Sequence, residues 1–383
     1  MPLEEKVPAP VPGTPAAPHA LSAALRQIHR AASELRRGLP VLLTGGAPLA
    51  ILAAETAGPD SVAELTSLGC EPPALLLAPV RAAAVLRRPL EQGAAAIAVR
   101  IPQPLLDATF LRTLADPTAK QPMHAGTLEA VPLPEAAAAA LTLAKLGRLL
   151  PAVLAVAAKQ GVETEADLRN LIGVPAGDVL TYPGMEAAGL RRIVSAEVPL
   201  AGAPDTRVVA FRTDGSAIEH LAIVIGRPEQ AAAPLVRIHS ECFTGDLLGS
   251  MRCDCGEQLR GAIRRMAEDG SGVLLYLAQE GRGIGLVNKL RAYTLQDRGL
   301  DTLDANRVLG WGADERNFLI GATMLVQLGI SRVRLLTNNP DKLAALTACG
   351  VEVVGREAHM IAPNGVNDEY LATKAARFGH LLD

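Results

Sequence analysis

The sequence predicts an α/β (α+β) protein of two domains, the second built on a mixed sheet with flanking helices. Three observations predict it. The 383 residues are enough for two domains that each bury a core. Residues 21–190 alternate helical and strand patterns. From about Val198 the texture changes, and glycines and charged residues stand at fixed places beside short apolar strands. The expected division is a Pro/Ala-rich disordered tail over 1–20, one domain over 21–190 and a second over 191–383.

The elements follow in order. Six prolines before residue 19 set the tail apart. Leu21, Leu25, Ile28, Ala32 and Leu35 fall at helical spacing, and Gly38 is placed to end that helix. Short apolar runs at Val41–Leu43, Leu49–Glu55, Ala74–Leu77 and Ala95–Ile101 read as strands, and Glu135–Leu150 as a long helix. In the second half, Arg207–Arg212 and His220–Ile225 read as strands paired across the turn TDGS. Val273–Leu277 is a buried strand running into AQEGRGIG, and Ile284, Leu286, Leu290, Tyr293 and Leu295 mark a helical stripe beyond it. Arg332–Thr337 is a further strand. Asn339 and Pro340 suit the start of the next helix and Gly350 its end.

Composition narrows the class. Aromatic residues make up 3% of the chain, so Ala, Leu and Val must build the cores. A net charge of −3 argues against a nucleic-acid binder held by a broad basic surface. Five cysteines, three of them clustered, suit a reducing compartment and a metal better than a disulfide framework. The apolar stretch Ala136–Ala158 is interrupted by Lys145, Arg148 and Pro151 and does not read as a membrane span. A soluble, cytoplasmic protein is expected.

Chemistry gathers in the second half. Cys242, Cys253 and Cys255 stand in C-x10-C-x-C spacing. Three thiolates are one ligand short of a closed structural zinc site, whereas a catalytic zinc keeps one position for water. The alternatives are a structural Cys3His site completed by His239, or three buried thiols without metal. Glu280–Gly285, EGRGIG, lies between strand and helix, where backbone N–H groups approach phosphates or simply form a tight turn. Its Glu280 suits one edge of guanine and its Arg282 a phosphate. Thr337–Lys342, TNNPDK, is either a second anion site at a helix start or a capped helix with a solvated lysine. Asp314 and Arg316 form a surface ion pair or a proton- and charge-handling pair. Tyr293 is a core residue unless its hydroxyl meets substrate.

The order RIHSEC-x-TGD, RCDCG-x-QL, QEGRGIGL-x-NK-x-RAY, ADER-x-F, LLTNNP-x-K and NDEYL-x-TKA resembles GTP cyclohydrolase II over residue 195 to the C-terminus. The resemblance implies hydrolysis of GTP to 2,5-diamino-6-(5-phosphoribosylamino)pyrimidin-4(3H)-one, formate and pyrophosphate, the first step of riboflavin biosynthesis. It implies zinc on Cys242, Cys253 and Cys255, where an activated water attacks guanine C8, and Mg²⁺ with the triphosphate. It implies GTP contacts from Arg237, Ile238, His239, Ser240, Glu241, Gln258, Glu280, Gly281, Arg282, Thr302, Thr337 and Lys342. Tyr293 would position the ring or water, Asp314 accept a proton, and Arg316 act as nucleophile toward the α-phosphate. A guanidinium has no lone pair to offer, so charge stabilisation is the easier role for Arg316. A homodimer is implied, with no nucleic-acid or membrane partner.

Residues 21–57 faintly resemble the opening of 3,4-dihydroxy-2-butanone 4-phosphate synthase. That enzyme's acidic loop is replaced here by TGGAPLA, which supplies no carboxylate for a hard cation. The first half therefore reads as a degenerate, inactive synthase domain. The alternatives are a bifunctional enzyme that also makes dihydroxybutanone phosphate, a paralogue with an altered product, and a non-catalytic protein with a structural zinc.

Overall fold

The computed structural model describes residues 18–90, 93–121, 128–159, 161–162, 171–359 and 365. Most of the expected tail, and the NDEYL-x-TKA segment, lie outside them. Helix α1, Pro18–Arg36, begins three residues inside the expected tail. Its buried Leu25, Ile28, Ala32 and Leu35 confirm the stripe. Gly38 then turns the chain at φ +75°, where a Cβ would meet the Thr56 carbonyl oxygen at 2.3 Å.

Strands β1 (Val41–Thr44) and β2 (Leu49–Ala53) come next, followed by α2 (Pro59–Leu68), β3 (Ala74–Leu77) and α3 (Pro79–Leu86). Then come β4 (Ile97–Arg100), α4 (Ala108–Ala115), β5 (Glu129–Val131), α5 (Ala137–Leu146), β6 (Ala152–Ala157) and β7 (Ile172–Pro175). The seven strands form one sheet in the order β5-β4-β3-β6-β2-β1-β7. Only the β1–β7 pair is parallel. Its strands are short, the inner ones buried and the edge strand β5 exposed, and its core is mostly Ala, Leu and Val as composition requires. Helix α5 is shorter than the expected 135–150, because Gly147 caps it and Arg148 turns left-handed at φ +58° before Pro151.

Helix α6 (Ala176–Ala188) leads to the second sheet, with β8 (Leu190–Glu197), β9 (Thr206–Thr213), β10 (Glu219–Ile225) and β11 (Leu235–Ser240). Beyond β11 come α7 (Cys255–Glu268), β12 (Gly272–Leu277), α8 (Leu286–Gln296), α9 (Thr302–Val308), α10 (Leu319–Gln327), β13 (Arg332–Leu336), α11 (Pro340–Ala348) and β14 (Glu352–Glu357). The order β14-β13-β11-β12-β10-β9-β8 splits the sheet into two regimes. β14, β13, β11 and β12 run parallel, while β12, β10, β9 and β8 pair antiparallel. Loops leaving the carboxyl ends of parallel strands converge, and ligands bind there in such sheets. β11, β12 and β13 end at Ser240, Leu277 and Leu336, so the HSEC, AQEGRGIG and TNNPDK segments share one rim.

The stripe expected after EGRGIG is displaced. Leu290 is 48% exposed, and the buried face of α8 is Asn288, Ala292 and Leu295. That face packs into the core of the first sheet together with Ala305, Leu309 and Trp311. Arg291 joins it, pairing with Glu55 at 2.8 Å and Asp116 at 3.2 Å. No helix among the described residues is long and apolar enough to cross a membrane.

Candidate active site

The three thiols meet. Cys242 follows β11, a π-type turn over Phe243–Leu247 brings the chain around, and Cys255 opens α7. The Sγ atoms of Cys242, Cys253 and Cys255 lie within 4.8 Å of one another, the only such cluster among the described residues. Gly245 makes room for them. A Cβ there would stand 2.7 Å from Cys253 Sγ and 3.0 Å from Cys242 Sγ. Three soft sulfur donors in a cradle with no side chain at its base fit zinc.

Charge at the thiols is uneven. Hydrogen bonds from Cys253 and Cys255, aided by the Lys289 ammonium, hold the Cys242 thiol well below its ordinary value. Bonding to Cys242, with burial, pushes the other two up. Lys289 Nζ lies 3.0 Å from Cys242 Sγ, 3.0 Å from Thr244 Oγ1 and 2.8 Å from Glu280 Oε1. It carries no assignment from the sequence, although the NK-x-RAY segment contains it. It stands one turn before Tyr293 on the same face of α8.

Asp246 braces the same turn. Its carboxylate accepts from the Cys242 N–H at 3.0 Å, the Tyr276 hydroxyl at 3.0 Å and His239 Nε2 at 3.1 Å. Burial pulls the His239 imidazole down, so it is neutral and its Nε2–H points at the carboxylate. His239 is thus committed to Asp246 and stands outside the thiol cluster.

The cleft above the thiols is lined by Arg237, His239, Ser240, Glu241, Gln258, Glu280, Gly281, Arg282, Tyr293, Thr302, Arg316 and Lys342. Lys289, Gln296, Asn306 and Asn339, not expected from the sequence, line it too. Ile238, Thr337 and Asp314 do not. Ile238 is buried, and its carbonyl accepts from Lys342 Nζ at 2.8 Å. Thr337 Oγ1 is buried and accepts from the Asn339 N–H at 3.1 Å, fixing the TNN turn. Asp314 lies behind Arg316, accepting from its backbone N–H at 3.1 Å, its Nε at 2.8 Å and its Nη2. Burial raises the Asp314 carboxyl, but those bonds and the guanidinium charge outweigh it and hold the group below its ordinary value.

Several cleft groups are partly spoken for. Glu280 Oε2 accepts from the Phe243 N–H at 2.6 Å, and Oε1 from the Gly281 N–H at 2.9 Å and from Lys289. A carboxylate has about four acceptor positions, which leaves one for a ligand. Arg237 is buried and donates to Gln258 and to the Leu336 carbonyl, and burial pulls its guanidinium down to about 10. Its Nε and the Ser240 hydroxyl have no hydrogen-bond partner among the described residues. Tyr293 has its hydroxyl 3.5 Å from Thr244 Oγ1 and its ring 4.6 Å from the Arg252 guanidinium. It belongs to the cleft, not the core.

Gly281, Arg282 and Gly283 stand at φ +64°, +63° and +96°. At Gly283 a Cβ would meet the Glu315 carbonyl oxygen at 2.8 Å, so glycine lets the EGRG and ADER segments touch. The Glu315 N–H donates to the Arg282 carbonyl at 3.1 Å. The arrangement offers a sulfur metal site, hydrogen-bonding groups for a planar ring and cations for phosphates within one cleft.

The comparisons with known proteins agree. The sequence model of the GTP cyclohydrolase II family matches residues 191–358. A GTP cyclohydrolase-2 of Azospirillum brasilense is 46% identical over 368 residues, covering 94% of this chain and 95% of its own. One from Hahella chejuensis is 55% identical over 172 residues, 45% of this chain and 83% of its own. Among solved structures, a two-domain 3,4-dihydroxy-2-butanone 4-phosphate synthase from A. baumannii covers 87% of this chain and 99% of its own. Its 18% identity and TM-score of 0.34 are too low to say anything of this chain's chemistry. The near full-length match to the Azospirillum brasilense relative places the protein among enzymes: the chain belongs to the GTP cyclohydrolase II family.

Proposed function

We propose that the chain hydrolyses GTP in a zinc-dependent reaction to 2,5-diamino-6-(5-phosphoribosylamino)pyrimidin-4(3H)-one, formate and pyrophosphate, the first step of riboflavin biosynthesis. One observation carries the reading. Three thiols meet at the base of a cleft whose wall presents guanidinium and ammonium groups. Cys242, Cys253 and Cys255 would hold the zinc, and three protein ligands leave one position for water. When bound, the metal supplies the Lewis acidity that makes water nucleophilic near neutral pH. Mg²⁺ accompanies the triphosphate.

The chain's own residues do the rest. Glu280 and Arg282 orient guanine and phosphate, Ser240 and Gln258 contribute hydrogen bonds, and Lys342 and Thr302 extend the nucleotide wall. Tyr293, over the thiol turn, positions the ring carbon for attack. Asp314 is held ionised and locked to Arg316, which makes it a weak base in this arrangement and an effective clamp. Arg316 then stabilises charge on the transferring phosphoryl group. Residues 191–383 form the cyclohydrolase domain. Residues 21–190 form a synthase-like domain without its own reaction, in a cytoplasmic homodimer.

Purified full-length chain given GTP and Mg²⁺ should release formate and pyrophosphate, and removal of zinc should stop formate release. Neither product from zinc-loaded protein would sink the proposal. Product mass separates a diaminopyrimidine from a paralogue's formylated product. Unimpaired turnover by Asp314→Asn would remove the clamp.

A further inference from the structure

A second cavity, of about 320 Å³, lies where α1, the end of α5 and α6 meet the β9–β10 turn and the segment after β12. It shares no lining residue with the nucleotide cleft, but Gln279 and Gly283 in its wall bracket Glu280–Arg282 on the other side.

Arg148 dominates it. Its backbone is left-handed at φ +58°, a conformation costing a non-glycine residue about 1 kcal/mol. Its carbonyl accepts from Asn288 Nδ2 at 3.0 Å, and its stem lies against Gly285, where a Cβ would be 3.3 Å away. The backbone and stem are therefore fixed. The guanidinium, by contrast, has no hydrogen bond or ion pair among the described residues. Burial weakens its hold on the proton, and Glu186, Tyr182 and Glu241, acting through space, offset that only in part.

The acids of the cavity wall, Glu186 and Glu315, take their hydrogen bonds from other residues, and Glu186 acts on Arg148 only through space. Glu186 accepts from the Tyr182 hydroxyl at 2.9 Å and Asn317 Nδ2 at 3.0 Å, one bond on each oxygen. Glu315 pairs with Lys145 at 2.5 Å. His29 and His220 are both driven toward the neutral form by burial. Arg36 adds a second cation at the exposed side. Gln279 is only 6% exposed, its Nε2 donates to the Asn317 carbonyl at 3.2 Å, and its Oε1 has no partner among the described residues. A fork-shaped cation that donates no hydrogen bond and an acceptor without a donor, both judged among the described residues, line one cavity.

We propose that this cavity is a second ligand site, separate from the nucleotide cleft. It takes a small phosphate-class anion gripped by Arg148 and Arg36, with a hydroxyl of the ligand donating to Gln279 Oε1. The planar guanidinium matches phosphate oxygens two at a time. Inorganic phosphate and a polyol phosphate both offer this chemistry.

Isothermal titration of the full chain with inorganic phosphate, and separately with glycerol phosphate, tests it. Saturable binding of at least one is expected, weakened tenfold or more in Arg148→Gln and partly restored in Arg148→Lys. Ser33→Phe, which fills the cavity without altering either arginine, should abolish it and serves if Arg148→Gln does not fold. Arg316→Gln, in the nucleotide cleft, should leave it unchanged. Tighter binding of glycerol phosphate identifies a monoester as the ligand, and equal or weaker binding identifies free phosphate. No saturable binding by either, binding that survives Arg148→Gln or Ser33→Phe, or binding that disappears with Arg316→Gln overturns the proposal.

Discussion

At the scale of single residues, the thiol site depends on an atom that is missing. Gly245 sits where any side chain would collide with two of the three sulfurs. Gly245→Ala should leave the fold intact and reduce bound zinc to well under half of the wild-type content by metal analysis, with formate release falling in parallel. Full zinc occupancy in the variant would show that the turn can yield. The cysteines were legible because their spacing is local. Lys289 was not, since a lysine on a helix is ordinarily solvated, and its meaning comes from a thiol 47 residues earlier. Ile238 and Thr337 show a placement that sequence does not resolve. Both fall on the expected nucleotide wall in sequence, yet each acts one layer behind it, through Lys342 and Asn339.

At the scale of elements, short apolar runs made β1, β2, β3 and β12 readable, while β6 and β11, buried along almost their whole length, drew no strand reading. β8 escaped because most of its residues are exposed, so no apolar run announces it. The helical stripe of α8 was misread for a related reason: the helix has two working faces, one to the cleft and one to the first sheet, and period alone does not separate them. His220 joins two elements of the second sheet. From β10 it accepts the Ala278 N–H through Nδ1 at 3.1 Å, fixing the segment that leaves β12. Burial, with the Arg148 charge, pulls this imidazole down to about 4 from its ordinary 6.5. A histidine depressed in the folded state takes up its proton first in the unfolded chain. Stability is therefore kept above pH 6.5 and drains away as pH falls toward 4. From pH 7 to pH 5 the loss from this residue is about 2 kcal/mol. His220→Gln keeps an acceptor for Ala278 but cannot titrate, so its urea midpoint should fall less over that interval. Equal falls in both proteins would remove His220 from the account.

At the scale of the whole molecule, the two sheets share a core. Ile284, Ala292, Leu295, Ala305, Leu309 and Trp311 are buried against the first sheet, although all follow residue 190. Nothing in the local pattern of those segments distinguishes such a face from an ordinary core. The isolated 190–383 fragment should expose it. We expect the fragment to retain detectable GTP turnover, since the three clustered thiols and the residues named in the cleft lie within it. It should also melt well below the full chain and bind a hydrophobic dye severalfold more strongly. A fragment as stable and as dye-silent as the full chain would show that the shared core contributes little.

Helix α8 can also be seen as a rod clamped along one side and gauging a distance on the other. Arg291 fastens it to Glu55 and Asp116, and two positions earlier Lys289 reaches across to Cys242. Each residue advances the rod about 1.5 Å, half the length of that lysine–sulfur contact. A slip of the first sheet by a single helical step would therefore be read at the sulfur as a contact made or lost. In mechanical terms the thiol turn is braced from its own sheet by Asp246 and touched from the other side by a rod fastened to the first sheet.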